Sequence, residues 1–156
     1  EGVMCRLAAN MPRLGNLPLW ICDDGQASID DIRRIVKHLS DRHGVRMVIV
    51  DYAQIVHPPH GVISREQQVA YIGRGMRAIA QDTGVVMVLL SQLNDEGKVR
   101  ESRALLHECH LCLTLTTRED RLWICCSKGR DMQFRDFPVV LDALHCRLTQ
   151  ATQMDP

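Results

Sequence analysis

At 156 residues the chain has the size of one ordinary domain, able to bury roughly two thirds of its unfolded surface. Its 46% hydrophobic and 24% charged residues make a soluble globular composition, and its longest apolar runs are strand-length, which excludes a membrane-spanning helix. Lys plus Arg equals Asp plus Glu at 19 each, so nucleic-acid binding cannot come from a whole-molecule field and needs a local patch.

The opening EGVMCRLAANMPRLGN, residues 1–16, carries no signal-peptide pattern and reads as connecting chain. LPLWICDD, Leu17 to Asp24, reads as a short buried strand ending in acids. SIDDIRRIVKHLSDRHG follows as a helix, with Ser28 as N-cap, acids in the first turn, Ile29, Ile32, Ile35, Val36 and Leu39 at helical spacing, and Gly44 as C-cap. Its Arg33, Arg34, Lys37 and Arg42 are interspersed with acids and form a solvated face.

VRMVIVDYAQIV is a second buried strand that ends on Asp51, and HPPHG must be a loop because two prolines continue neither element. From Ser64 to about Thr83, Val69, Ile72, Met76, Ile79 and Ala80 mark an amphipathic helix stopped by Gly84. VVMVLLSQLN is a third buried strand, and the polar DEGKVRES leads to a short helix. HLCLTLTT and RLWICCS are neighbouring strands joined at REDR, and DFPVVLDALHCRLT is a hairpin turning at Asp142 and Ala143. The order predicts an α/β fold with an open, mostly parallel sheet and an antiparallel edge, over residues 17–150 with a tail at 151–156.

An ionised carboxylate ending a buried strand is costly unless a cation, ligand or water offsets it. Asp51, and Ser91, Gln92 and Asn94 after the next strand, leave a parallel sheet on the same rim, where such folds bind ligands. An acid there suits Mg²⁺ through waters, and a Gln can hold a water or a phosphate oxygen, although a turn acid and a polar cap are the plainer reading. Lys128 and Arg130, two apart beyond a buried strand, point the same way and could reach one anion together; a solvated turn competes with that reading.

HECHLC offers His107, Cys109, His110 and Cys112, ligand types that suit zinc. The spacing lacks the paired C-x-x-C units of zinc sites, so packed cysteines are the reading. Seven cysteines, an odd number without paired loop spacings, indicate reduced, buried thiols and a cytoplasmic protein.

VIVDYAQIV, VLLSQLN, VRES and SKGR, in this order and spacing, resemble the carboxyl-terminal RecA-like motor domain of the DnaB family of ring-shaped replicative DNA helicases, over about Leu17 to Thr149. The resemblance implies a RecA-like P-loop NTPase fold, ATP and Mg²⁺ as cofactors, single-stranded DNA as partner and a ring of subunits. It makes Asp51 the Walker B acid that holds the magnesium water shell, and Gln92 the polar residue that senses the γ-phosphate. Lys128 and Arg130 match the pair reaching into the neighbouring subunit's nucleotide. Arg100 and Glu101, with Lys98 and Arg103 beside them, match a loop that tracks DNA phosphates.

The G-x-x-x-x-G-K-[ST] string that cradles the β- and γ-phosphates is not in this sequence. The expectation is therefore a partial motor domain that does not hydrolyse ATP by itself. The alternative is a non-catalytic, helicase-derived module that self-associates or docks on a helicase ring. Taking a central strand out of such a sheet opens an apolar edge, which predicts dimerisation or rearranged strands.

Overall fold

Ser28 opens the first packed helix by a reciprocal exchange: its hydroxyl accepts from the Asp31 amide at 3.2 Å, and its own amide donates to Asp31 Oδ2 at 3.0 Å. This capping box satisfies two amides that the first helical turn leaves without partners. The computed structural model describes residues 2–58, 61, 64–92, 102–129 and 134–151.

In chain order the elements are α1 (Gly2–Gly15), α2 (Ile29–His43), β1 (Met47–Val50), a 3₁₀ turn (Ala53–Ile55), α3 (Arg65–Thr83), β2 (Val86–Leu89), α4 (Ser102–Glu108), β3 (Leu111–Arg118), β4 (Arg121–Gly129), β5 (Phe137–Asp142) and β6 (Arg147–Gln150). Gly44 and Gly84 end α2 and α3 at φ +65° and +70°, a left-handed conformation that glycine adopts without a Cβ penalty.

β1 and β2 pair in parallel, Met47 with Val86 through Val50 with Leu89. One face carries Val48, Val50, Met87 and Leu89, packed against a core of Ile29, Val36, Val56, Ile72, Met76, Ile79 and Val85 from α2, α3 and their flanks. The helices meet closely at Gly75, where an added Cβ would lie 2.6 Å from Ile29 Cγ2.

The second sheet is an antiparallel meander, β3-β4-β5-β6. Glu119 and Asp120 both have positive φ, the two-residue turn whose twist suits a hairpin. The hairpin at Asp142 is also present: β5 and β6 pair up to Asp142 with Arg147, and Asp142 Oδ2 lies 2.7 Å from His145 Nδ1. The α/β class with parallel and antiparallel pairing thus holds, but the strands divide into two sheets.

Within residues 1–16, read as connecting chain, Gly2–Gly15 is helical. Three expectations are corrected. Leu17 to Asp24 forms no strand: Ile21 is 84% exposed, and Cys22 and Asp24 share with Val48 and Val50 of β1 the lining of a cavity of about 150 Å³. With so little covering this segment, ladder formation there would bury little apolar surface. Nor are the first sheet's strands buried on both faces, since Met47, Ile49 and Val86 on the far side are exposed, Ile49 by 62%. The cysteines likewise divide, with Cys125 buried but Cys5, Cys22 and Cys146 exposed.

Register puts Leu113, Leu115, Leu122, Ile124, Val139, Leu141 and Leu148 on one face of the meander, and Leu113, Leu115, Leu141 and Leu148 are exposed there.

Candidate functional site

Parallel pairing of β1 and β2 releases both carboxyl ends on one rim. The ladder runs past the strands, with Leu90 N donating to Val50 O at 3.0 Å and Ala53 N to Leu90 O at 2.8 Å. Asp51 and Ser91-Gln92 are therefore fixed to the same two backbones. Asp51 and Gln92 are both exposed, and the Asp51-Tyr52 peptide is cis.

Gln54 joins the two sides of this rim. Its Nε2 donates to Ser91 Oγ at 3.1 Å and to Gln92 O at 3.4 Å, while Arg65 donates to the Gln54 carbonyl at 3.5 Å. Gln54 Oε1 is buried with no hydrogen-bond partner, an acceptor left unsatisfied beside the strand ends. A position three after Asp51 is the residue's one signal in the sequence, and by itself that assigns it no role.

The rim thus carries the Asp51 carboxylate beyond β1 and the Ser91 hydroxyl and Gln92 amide beyond β2. Hard donors of this kind fit Mg²⁺, and a single carboxylate fits an ion held chiefly through water and phosphate. Among the described residues no three His, Cys, Asp or Glu side chains converge as a metal shell.

Lys128 lies on the second sheet, opposite Cys112, and its ammonium donates to the backbone carbonyls of Leu106 and, at 3.2 Å, His107. These carbonyls lie in the last turn of α4, whose partial negative charge attracts a cation. Sequence spacing does not reveal this contact. Lys98, Arg100, Glu101, Arg130 and Asn94 lie outside the described residues, and for Arg103 only its place in α4 is described.

Two carboxylates away from the rim are held low. The Ser28 hydroxyl and amide, then Arg34, depress Asp31. Asp136 is depressed by hydrogen bonds from the Cys125 thiol and the Cys126 amide, and by Arg118 at 3.1 Å. Burial pushes the Cys125 thiol up.

Residues 2–106 match the family model described as the DnaB-like helicase C terminal domain. The chain is 35% identical over 88 residues to the replicative DNA helicase DnaB of Leifsonia xyli subsp. xyli (strain CTCB07), covering 56% of this chain and 19% of that protein. It is 32% identical over 106 residues to the DnaB of Rhodothermus marinus, covering 64% and 11%. The chain thus spans about a fifth or less of the length of these relatives.

Among solved structures, one ATPase domain superposes with a TM-score of 0.84 at 19% identity, covering 96% of this chain and 60% of that one. A DnaB-like replicative helicase studied with primase superposes at 0.77 and 21% identity, covering 88% and 38%. These likenesses carry the RecA-like fold across both sheets. On the family match over residues 2–106, the chain belongs to the DnaB-like helicase C-terminal domain family.

Proposed function

We propose that this chain is motor-domain sequence of a DnaB-type helicase, carrying the switch rim of an ATP-driven translocase on single-stranded DNA. The carrying observation is the placement of Asp51 and Gln92 on one rim, with Gln54 bonded across it to Ser91 and Gln92. ATP, when bound, would supply the phosphoanhydride whose cleavage drives such motors, and Mg²⁺ would neutralise its phosphate charge. Asp51 would hold the ion's water shell from the end of β1, Gln92 would meet phosphate from the end of β2, and Gln54 keeps the two ends in register.

Lys128 and Arg130 act on the nucleotide of an adjacent subunit. Lys98, Arg100, Glu101 and Arg103 serve the DNA-facing loop. The setting is cytoplasmic and the working form a homo-oligomer. Without a phosphate-cradling loop in its sequence, the isolated chain does not turn over ATP.

Manganese in place of magnesium tests the rim directly. In a ¹⁵N-labelled chain, Mn²⁺ should broaden the Asp51 and Gln92 amides first, and Asp51→Asn should remove the effect. Broadening that begins elsewhere, or survives the substitution, overturns the assignment.

A second reading, a non-catalytic module that self-associates, is favoured by the open leucine face of the meander. Exposed apolar surface of this kind marks interaction sites.

A further inference from the structure

Cys109 and Cys112 flank the bend between α4 and β3, a C-x-x-C spacing in which the first cysteine still extends the helix through Cys109 N to Leu105 O at 3.0 Å. Cys112 stands opposite Lys128 across the β3–β4 ladder. The Cys109 thiol donates to Leu106 O at 3.6 Å, one of the carbonyls that the Lys128 ammonium engages, so both cysteines lie beside the same contact. Both cysteines are half-buried, so a small oxidant can reach them but bulk solvent does not surround them. We infer that Cys109 and Cys112 form a reversible dithiol-disulfide site for low-molecular-weight disulfides, clamping the end of α4 to the start of β3.

The exchange balances with a small disulfide, RSSR, as oxidant. One cysteine thiolate attacks RSSR, forming a mixed disulfide and expelling a thiolate that takes up the proton just lost. The second cysteine attacks the protein sulfur of that mixed disulfide and expels the other thiolate, so two protein thiols are oxidised and RSSR becomes two RSH. Burial, then the neighbouring Cys109 and Cys126, push the Cys112 thiol up. A reluctant thiolate exchanges slowly at neutral pH and faster as pH rises.

Cys126, opposite Leu113 on β4, is the competing partner, but its thiol donates to Lys128 O at 3.3 Å. A local link between Cys109 and Cys112 requires no movement of one strand against another.

The test uses the full chain with Cys5, Cys22 and Cys146 changed to Ser, equilibrated in glutathione buffers from reducing to oxidising, acid-quenched and alkylated. Trypsin releases residues 104–118, containing both cysteines, separately from residues 122–128. The expected result is an unalkylated 104–118 peptide lighter by two hydrogens, restored by dithiothreitol and absent in Cys109→Ser and Cys112→Ser. A 104–118 peptide crosslinked to 122–128, a persistent glutathione adduct, or full alkylation under oxidising conditions each overturns the site.

Discussion

The Lys128 ammonium donates to His107 O at 3.2 Å, tying the penultimate residue of β4 to the end of α4. A side chain proposed to reach a neighbouring subunit is thus held within its own chain. Engaging a nucleotide in trans requires it to release these carbonyls, and the helix loses their partner when it does.

Lys128→Met keeps the aliphatic stem and removes the charge. The substitution should cost about 0.3–1 kcal/mol, the range for a cation at a helix carboxyl end. Urea unfolding checks it, and an unchanged midpoint would show that the contact contributes nothing.

Gly75→Ala should be worse than its helix propensity suggests. Alanine favours a helix by up to about 1 kcal/mol over glycine, but the new methyl would sit 2.6 Å from Ile29 in the α2–α3 contact. Overpacking of this kind costs about 1–3 kcal/mol. Thermal unfolding should show a lowered midpoint; a stabilised variant would mean that the helices can separate without loss.

Ser28→Ala removes one half of the capping box and should cost about 1 kcal/mol. It also changes the response to acid. Asp31 is depressed below its ordinary 3.8, chiefly by Ser28, so its contribution is complete above that value and is lost as pH falls through the folded pKa. The wild-type chain should lose stability as pH drops below about 4, with the Asp31 part of that slope shallower in Ser28→Ala. Parallel pH profiles for the two chains would contradict this.

The leucine face predicts self-association. Leu113→Lys combined with Leu141→Lys places charge on two exposed positions of that face and leaves the hydrogen-bonded ladder intact. Sedimentation velocity should show the parent chain in oligomers at micromolar concentration and the variant shifted at least several-fold toward monomer. A parent chain that stays monomeric across a wide concentration range would count against any role for the face.

What can be read from sequence depends on how local the cause is. Ser28, Gly44, Ser64 and Gly84 punctuate their helices through neighbours only three or four residues away, and all four act as caps in the structure. The REDR and Asp142 turns are equally local. Burial is illegible where it depends on a distant partner: VRMVIV and LPLWICDD have the composition of buried strands, but one has a bare face and the other no ladder. The rim positions of Asp51 and Gln92 follow from the strand order. The Gln54 bridge and the Lys128 contact depend on side-chain reach across the fold, and no spacing encodes that.

Phosphate release from Mg²⁺-ATP, measured with and without single-stranded DNA on the isolated chain beside Asp51→Ala, tests most directly whether a switch rim alone makes a motor. The predicted result is background turnover in both proteins under both conditions. Turnover that DNA stimulates and Asp51→Ala abolishes would contradict it, and would mean that this chain assembles a phosphate-binding site from residues outside the G-x-x-x-x-G-K-[ST] pattern.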